Sequence, residues 1–167
     1  MSKLLLQLSV KDFGTMKIEL YPEIAPNTVS NFVTYVKQGF YDGKIFHRII
    51  KGFMIQGGGS MDEKQPIKGE FSRNGFKNEL KHEKGVISMA RTQDPNSATS
   101  QFFIMHKSAP HLDGSYAGFG KVIEGLDVID KIATVQTNHF DSPISPVVIE
   151  KFEILENTYT LQPVQFV

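Results

Sequence analysis

Residues 46–58 (FHRIIKGFMIQGG) place one arginine, Arg48, and one glutamine, Gln56, among aromatic and aliphatic residues. The segment contains no obvious nucleophile, since serine, threonine and cysteine are absent from it. A guanidinium stays charged at any working pH and holds several N–H donors in a fixed plane. This set of residues suits binding and polarising an amide, and it does not suit cleaving one.

Two further blocks lie downstream. The first joins SMAR at residues 88–91 to SQFFI at 100–104, and the second joins LDG at 112–114 to FGKV at 119–122. Together with residues 46–58, these blocks make the chain resemble a cyclophilin, a peptidyl-prolyl cis/trans isomerase, over roughly residues 3–155. The resemblance implies catalysed rotation about X-Pro bonds that assists protein folding. It also implies proline-containing peptides and unfolded or partly folded chains as partners.

An X-Pro bond rotates slowly because partial double-bond character raises a barrier of about 18–20 kcal/mol. A quarter turn leaves the proline nitrogen pyramidal with a localised lone pair, so a donor aimed at it stabilises the twisted state selectively. Arg48 is the candidate donor. One charge-assisted hydrogen bond contributes about 1.5–3 kcal/mol, roughly ten- to a hundred-fold in rate, so positioning and water exclusion must supply the rest.

The resemblance also implies which residues form the site. Its catalytic residues are Arg48, Gln56 and Phe53. Gln56 and Gln101 bind or orient the substrate backbone, and the main chain at Arg91 pairs with the residue before proline as an added strand. The other substrate-binding residues form the proline pocket and its rim: Met54, Ala90, Phe103, His111, Leu112, Tyr116 and Phe119.

The chain departs from the usual family pattern at three positions. His111 stands where many members carry tryptophan, Tyr116 where many carry histidine, and Arg91 where asparagine is common. These choices resemble bacterial cyclophilins. The tryptophan indole N–H is associated with tight binding of cyclosporin, so the resemblance implies weak binding of that drug here. Tyr116 keeps a polar tip on an aromatic body and can replace the histidine at the rim.

Two other functions stay open. A binding module could recognise a proline-containing segment of one partner, with only incidental turnover. The coexistence of Arg48 with a complete apolar set favours the enzyme. A ligand carrier of lipocalin type would need a large empty interior, whereas the dense phenylalanine and isoleucine content predicts a filled one.

Other chemistries lack their motifs. The histidines form no HExxH pair, no GxSxG is present, and the glycine triplet at residues 57–59 lacks the GK[ST] ending of a phosphate-binding loop. The chain has no cysteine, which excludes disulfides, thiolate metal sites and a catalytic cysteine. We expect neither a cofactor nor a metal.

Length and charge set further bounds. The 167 residues fit a single domain, with a core at about 3–155 and an extension at 156–167 that packs on the core, mediates association or is loose. Lys plus Arg and Asp plus Glu are both 18, so we expect no binding to nucleic acid. The start of the sequence has an apolar run of only three residues, and no stretch approaches a membrane span. We expect a cytoplasmic monomer without membrane contact.

Alternation of apolar and polar residues predicts strands at 4–10 and 16–20, joined by a turn at residues 12–14. Six further short strands are predicted at 45–50, 53–56, 86–90, 101–106, 117–122 and 147–155. The polar stretch from residue 57 to 84 lacks periodicity and is predicted to be a surface loop around the site.

Helical spacing predicts two helices. The first covers residues 25–36 and has an apolar face of Val29, Phe32, Val33 and Val36. The second covers residues 126–135 and has a shared face of Leu126, Ile129 and Ala133. The family resemblance selects the fold class: mainly β, a closed eight-stranded antiparallel barrel capped by the two α-helices.

Overall fold

The first hairpin follows the alternation in the sequence. On strand β1 (Leu4–Val10) the side chains of Leu4, Leu6 and Leu8 are fully buried and the residues between them are half-buried. β1 pairs antiparallel with β2 (Gly14–Leu20), and the turn between them has Asp12 in the left-handed region at φ +68°. The predicted hairpin is therefore confirmed.

The computed structural model describes residues 2–60 and 64–167. Within these residues the other strands are β3 (Arg48–Ile50), β4 (Met54–Gly57), β5 (Val86–Met89), β6 (Phe102–Met105), β7 (Gly118–Glu124) and β8 (Ile149–Asn157). The α-helices are α1 (Pro26–Lys37) and α2 (Leu126–Ala133). Two short 3₁₀ helices, Ser72–Asn74 and Pro110–Leu112, were not predicted.

The sheet is an open half-barrel, so the predicted closure is wrong. Its eight antiparallel strands lie in the order β3-β4-β6-β5-β7-β2-β1-β8, which leaves β3 and β8 as edges. β3 has only three residues, and its free edge is covered by a loop, because the Ile49 N–H donates to the carbonyl of Asp141 at 2.8 Å. An isolated bridge between Ile45 and Val148 joins the two sides of the opening, without a continuous ladder.

The helices form near their predicted positions, with one error of orientation. All four apolar residues predicted to face inward from α1 are buried. On α2 the buried residues are Val128, Ile129, Ile132 and Ala133. Leu126 is exposed, because it is the first residue of the helix and follows Gly125, which turns the chain at φ +91°.

Aromatic rings fill the space between α1 and the sheet. The ring of Phe32 on α1 lies 5.0 Å from that of Tyr41, 5.5 Å from that of Phe102 and 5.3 Å from that of Phe152, measured between centroids. The Tyr41 hydroxyl is buried and donates to the carbonyl of Ser100 at 2.8 Å. This packing holds the inner face of the sheet against the helix.

The C-terminal extension, residues 156–167, packs on the domain. Asn27 and Gln165 exchange two hydrogen bonds of 2.8 Å, from the Asn27 side-chain amide to the Gln165 carbonyl and from the Gln165 N–H to Asn27 Oδ1. The Tyr159 hydroxyl donates to Glu23 at 2.9 Å, and Leu161 and Val164 pack against the core. The extension therefore lies along the start of α1.

The stretch predicted to be a surface loop is partly buried. Residues 61–63 of it lie outside the described residues. Elsewhere in the stretch Glu70 is buried and its carboxylate accepts from the Thr28 N–H at 2.7 Å, the Thr28 hydroxyl at 2.6 Å and the Asn27 N–H at 3.3 Å. These donors belong to the first turn of α1, where backbone N–H groups lack partners within the helix. Glu70 thus takes the place of an N-cap residue, although it lies 42 residues from Thr28 in the sequence.

None of the described helices combines the length and the apolar character that crossing a bilayer requires.

Removal of the Glu70 carboxylate is expected to destabilise the fold. We predict that Glu70→Ala lowers the free energy of unfolding by about 1–3 kcal/mol, because it leaves buried N–H donors at the start of α1 unpaired. Urea unfolding measures this change as a shift in midpoint at constant slope. The control is Glu79→Ala, which removes an exposed carboxylate that lies 4.0 Å from the Lys77 ammonium. Equal midpoints for the two variants would contradict the capping role.

Candidate active site

One row of paired residues crosses four neighbouring strands of the sheet. Arg48 on β3 lies opposite Gln56 on β4, which lies opposite Phe103 on β6, which lies opposite Ser88 on β5. Directly paired residues of an antiparallel sheet project from the same face. Side chains that are far apart in sequence therefore come together on the outer face of the sheet.

The next row projects from the inner face. It consists of Ile49, Ile55, Ile104 and Ile87, paired in the same strand order, and all four are buried. Successive residues of a strand point to opposite faces, so burying the isoleucines commits the adjacent residues to the outer face.

A cleft of about 490 Å³ opens over the outer row. Most residues predicted to bind substrate line this cleft: Arg48, Phe53, Met54, Gln56, Ala90, Arg91, Phe103, His111, Leu112 and Tyr116. Met54, Phe103 and Leu112 are buried and form an apolar floor, joined by the half-buried Phe53. The cleft thus combines a floor shaped for an apolar ring with polar groups at one side.

Arg48 is exposed beside this floor and is oriented by glutamines. Its Nη1 lies 3.4 Å from Gln56 Oε1, and Gln56 Nε2 donates to Gln101 Oε1 at 2.9 Å. Gln101 lines an adjoining recess together with Ala90 and Arg91. The predicted Gln101 is therefore next to the cleft, and it acts on Arg48 through Gln56.

The rim is built around Arg91. Its guanidinium carbon lies 4.4 Å from the ring centre of Tyr116 and 4.8 Å from that of Phe71. Its Nη2 donates to the carbonyl of Ser115 at 2.6 Å and its Nη1 to that of Thr92 at 2.9 Å. The guanidinium is held in one plane by two rings and two carbonyls.

Phe119 is not in the cleft, so its predicted place in the proline pocket is wrong. Its ring is fully buried and lies 5.0 Å from that of Phe32 in the core. The cause is a bulge between β5 and β7: Ser88 pairs with Gly118 and Ile87 with Gly120, which leaves Phe119 unpaired between them. A sequence motif does not show to which face of the sheet a bulged residue points.

Arg73 and Ser115 also line the cleft and were not predicted. Arg73 lies in the aperiodic polar stretch and reaches the cleft because its N–H donates to the Gly114 carbonyl at 2.9 Å. No local pattern in the sequence signals this long-range bond.

Beneath the floor lies a hydrogen-bonded chain of Ser88, His82 and Asp113. His82 Nε2 is 2.9 Å from Ser88 Oγ, and its Nδ1 is 3.2 Å from Asp113 Oδ1. These residue types form hydrolytic triads elsewhere, but Ser88 and His82 are buried, and the His82 ring stacks on Phe103 at 6.0 Å. These three hydrogen-bonded residues therefore support the floor, and Ser88 and His82 are not accessible from the cleft.

Burial lowers the pKa of His82, and the hydrogen bond and charge of Asp113 oppose this only in part. His82 is consequently neutral in the folded protein at neutral pH. In the described part of the chain, His82 and Asp113 included, no group of three or more histidine, aspartate or glutamate side chains could hold a metal ion.

A second cavity, of about 480 Å³, lies between the start of α1 and the C-terminal extension. Its lining includes Asn27, Glu70 and Gln165, whose polar groups already bond one another or the helix. It contains no arginine. Its cation is Lys68, and its apolar residues Phe166 and Val167 are exposed. The cleft over the outer row is thus the better candidate, since it alone of the two places a guanidinium beside a floor of buried apolar side chains.

Comparison with known proteins gives consistent matches. Residues 5–154 match the family described as Cyclophilin type peptidyl-prolyl cis-trans isomerase/CLD. A peptidyl-prolyl cis-trans isomerase of Acinetobacter baylyi is 48% identical over 158 residues, which cover 86% of this chain and 81% of that protein. Peptidyl-prolyl cis-trans isomerase B of Escherichia coli is 43% identical over 161 residues, covering 86% and 95%.

The fold is similar to a crystal structure of a cyclophilin type peptidyl-prolyl cis-trans isomerase from Cryptosporidium parvum. The TM-score is 0.83 at 31% identity, with 93% of this chain and 99% of that chain covered. A structure of the same protein in the presence of the dipeptide Ala-Pro gives a TM-score of 0.82 at 31% identity, covering 92% and 99%.

The buried neutral His82 predicts a dependence of stability on pH. The unfolded chain binds a proton at His82 near the ordinary pKa of about 6.5, whereas the folded protein binds it only at lower pH. Below about pH 6.5 the unfolded state therefore holds more protons, and stability falls as the pH drops, by at most about 1.4 kcal/mol per pH unit for this group.

Urea unfolding at pH 7 and pH 5 tests this. We expect His82→Gln to lose less stability between the two pH values than the wild type, because the titrating group is gone. His139→Gln, at an exposed histidine, is expected to retain the wild-type difference. Identical pH dependence in wild type and His82→Gln would refute the role assigned to burial.

Proposed function

Because the chain belongs to the cyclophilin-type peptidyl-prolyl cis-trans isomerases, we propose that the outer-face cleft is its active site and Arg48 its catalytic donor. The family and the enzyme class predicted from the sequence are confirmed by the matches. One observation carries the assignment of the site: Arg48 shares a register row with Gln56 and Phe103, so an exposed guanidinium stands beside a buried apolar floor.

Binding begins at the floor. The proline ring lies on Phe103, Met54 and Leu112, where its apolar surface leaves water. The Tyr116 ring meets Phe103 edge to face at 5.6 Å and closes one side. The Cryptosporidium relative, whose structure was determined in the presence of Ala-Pro, supports a proline-containing peptide as the ligand class.

The residue before proline is held at the adjoining recess. Strand β5 ends at Met89, and the Ala90 N–H already donates to the Gln101 carbonyl at 3.0 Å. The main chain at Arg91 follows directly, and a peptide there extends the sheet by one strand. Gln101 lines the same recess and binds the substrate backbone. Fixing one side of the X-Pro bond in this way makes the other side rotate.

Arg48 acts on the rotating bond. Its guanidinium donates to the proline nitrogen once the amide twists and the lone pair becomes localised. Gln56 keeps the guanidinium near the floor, and Gln101 keeps Gln56 in place. The step forms no covalent bond and transfers no proton, so it needs no nucleophile. Unfolded and partly folded chains with slow X-Pro bonds are the proposed substrates.

Substitution of Arg48 tests the proposed mechanism. We expect Arg48→Ala to lower kcat/KM for a short X-Pro peptide by about ten- to a hundred-fold, because one charge-assisted hydrogen bond to the twisted amide is lost. Arg48→Lys should recover only part of the activity, since an ammonium lacks the planar donor set. Isomerisation is followed by NMR exchange between the cis and trans signals of the peptide.

The matched control is Lys51→Ala, which removes one positive charge from the same hairpin outside the cleft. It should leave the rate unchanged. Wild-type turnover in Arg48→Ala, with the fold intact, would show that the donor is another group.

Position 111 tests the drug-binding expectation. His111 is exposed at the rim, with its ring 5.7 Å from that of Phe53. We predict that His111→Trp strengthens inhibition by cyclosporin about ten-fold, because an indole adds apolar area and a fixed N–H donor. His111→Phe, which adds area without the donor, separates the two contributions. Inhibition constants are measured in the isomerase assay, and equal values for wild type and His111→Trp would contradict control by this position.

A further inference from the structure

All three arginines of the chain line the same cleft. They are Arg48, Arg73 and Arg91, and the chain contains no other arginine. None of the lysines lines this cleft, although lysine is the commoner cation in the sequence. The formal net charge of the whole chain is zero, so this concentration of positive charge is local.

Within the described residues, acidic side chains do not neutralise the cleft. No aspartate or glutamate is among its lining residues. Asp113 is next to Leu112 in sequence, but its Oδ1 faces His82, accepting from the backbone N–H at 2.7 Å. The ion pairs in residues 2–60 and 64–167 are made by lysines and histidines, and none includes an arginine.

The three guanidinium groups differ in how they are held. Arg48 is assigned to the X-Pro amide. Arg91 is clamped between the rings of Phe71 and Tyr116, and its Nε is buried without a hydrogen-bond partner in the part of the chain that the structure describes. Arg73 is exposed, and its side chain has no polar partner among the described residues, while its backbone is anchored to Gly114. Arg73 is therefore the cation available to a ligand.

Three positive charges exceed what a neutral X-Pro amide requires. In a concave site with apolar walls, unpaired charges of one sign raise the local potential and favour ligands of the opposite sign. Guanidinium groups bind carboxylates through paired N–H donors. The recess assigned to the residues before proline shares Gln56, Ala90 and Arg91 with the cleft, and Arg73 lines the cleft alone. An acidic side chain that turns from the recess into the cleft would therefore meet Arg73.

We propose that the cleft selects X-Pro segments that carry an acidic side chain within two residues before proline, with Arg73 as the specificity-determining residue. The inference rests on the proposed active site. It adds a substrate class to an activity that by itself requires only the proline.

Paired peptides test this selection. In the first pair the residue directly before proline is glutamate in one peptide and the isosteric glutamine in the other. In the second pair the same exchange is made two residues before proline. The kcat/KM of each peptide is measured by NMR exchange. We expect glutamate to be favoured about two- to five-fold at one or both positions, the range of an exposed ion pair. The preference should shrink as salt is raised, because exposed charges are screened. This salt dependence needs no variant.

Variants then locate the preference. In Arg73→Ala the ratio of glutamate to glutamine kcat/KM should fall towards one, and in Arg73→Glu it should invert. Lys77→Ala removes a charge from the same stretch outside the cleft and should keep the wild-type ratio.

Failure of this inference can be told from failure of the proposed active site. The proposed selection is overturned if the glutamine peptides turn over and glutamate is not favoured at either position. It is also overturned if the preference for glutamate survives Arg73→Ala. Isomerisation itself is intact in both cases. Glutamine-peptide turnover that is unaffected by Arg48→Ala overturns the active site itself, and the selection with it.

Discussion

The pairing register of β3, β4, β6 and β5 determines which side chains enter the core and which form the cleft on the outer face. Ile49, Ile55, Ile104 and Ile87 face inward in one row, and burying each stabilises the fold by roughly 1.5–3 kcal/mol. A slip of one residue in any strand would expose its isoleucine and turn an outer residue into the core. The same packing that stabilises the sheet therefore sets Arg48 in line with the residues of the cleft floor.

The two faces of the sheet have separate roles. The inner face and the rings around Phe32 supply the larger core, whereas the outer face carries the smaller apolar cluster of the cleft floor beside polar groups that are exposed or bonded to one another. Side chains at the rim, such as His111, contribute little to that packing. This separation explains how the chain can differ from the usual family pattern at the rim while keeping the row that positions Arg48.

Much of the fold could be predicted because its signals are local: the alternation in β1, the helical spacing in α1 and the motif that contains Arg48. The errors arose where long-range contacts decide. Whether the barrel closes depends on what covers the edge of β3, which is a loop at Asp141. The orientation of Phe119 depends on a bulge in the pairing of β7 with β5. Arg73 reaches the cleft through a bond to Gly114, and Glu70 caps a helix 42 residues away at Thr28. No pattern within a short window encodes such contacts.

Binding of substrate over the outer row of the sheet underlies both proposals. The most direct test is NMR titration of ¹⁵N-labelled protein with a short peptide containing Ala-Pro. We expect the largest saturable shifts on the amides of Arg48, Gln56 and Phe103 and of the adjoining cleft. Shifts confined to the second cavity, around Asn27 and Gln165, with the outer row unchanged, would contradict it.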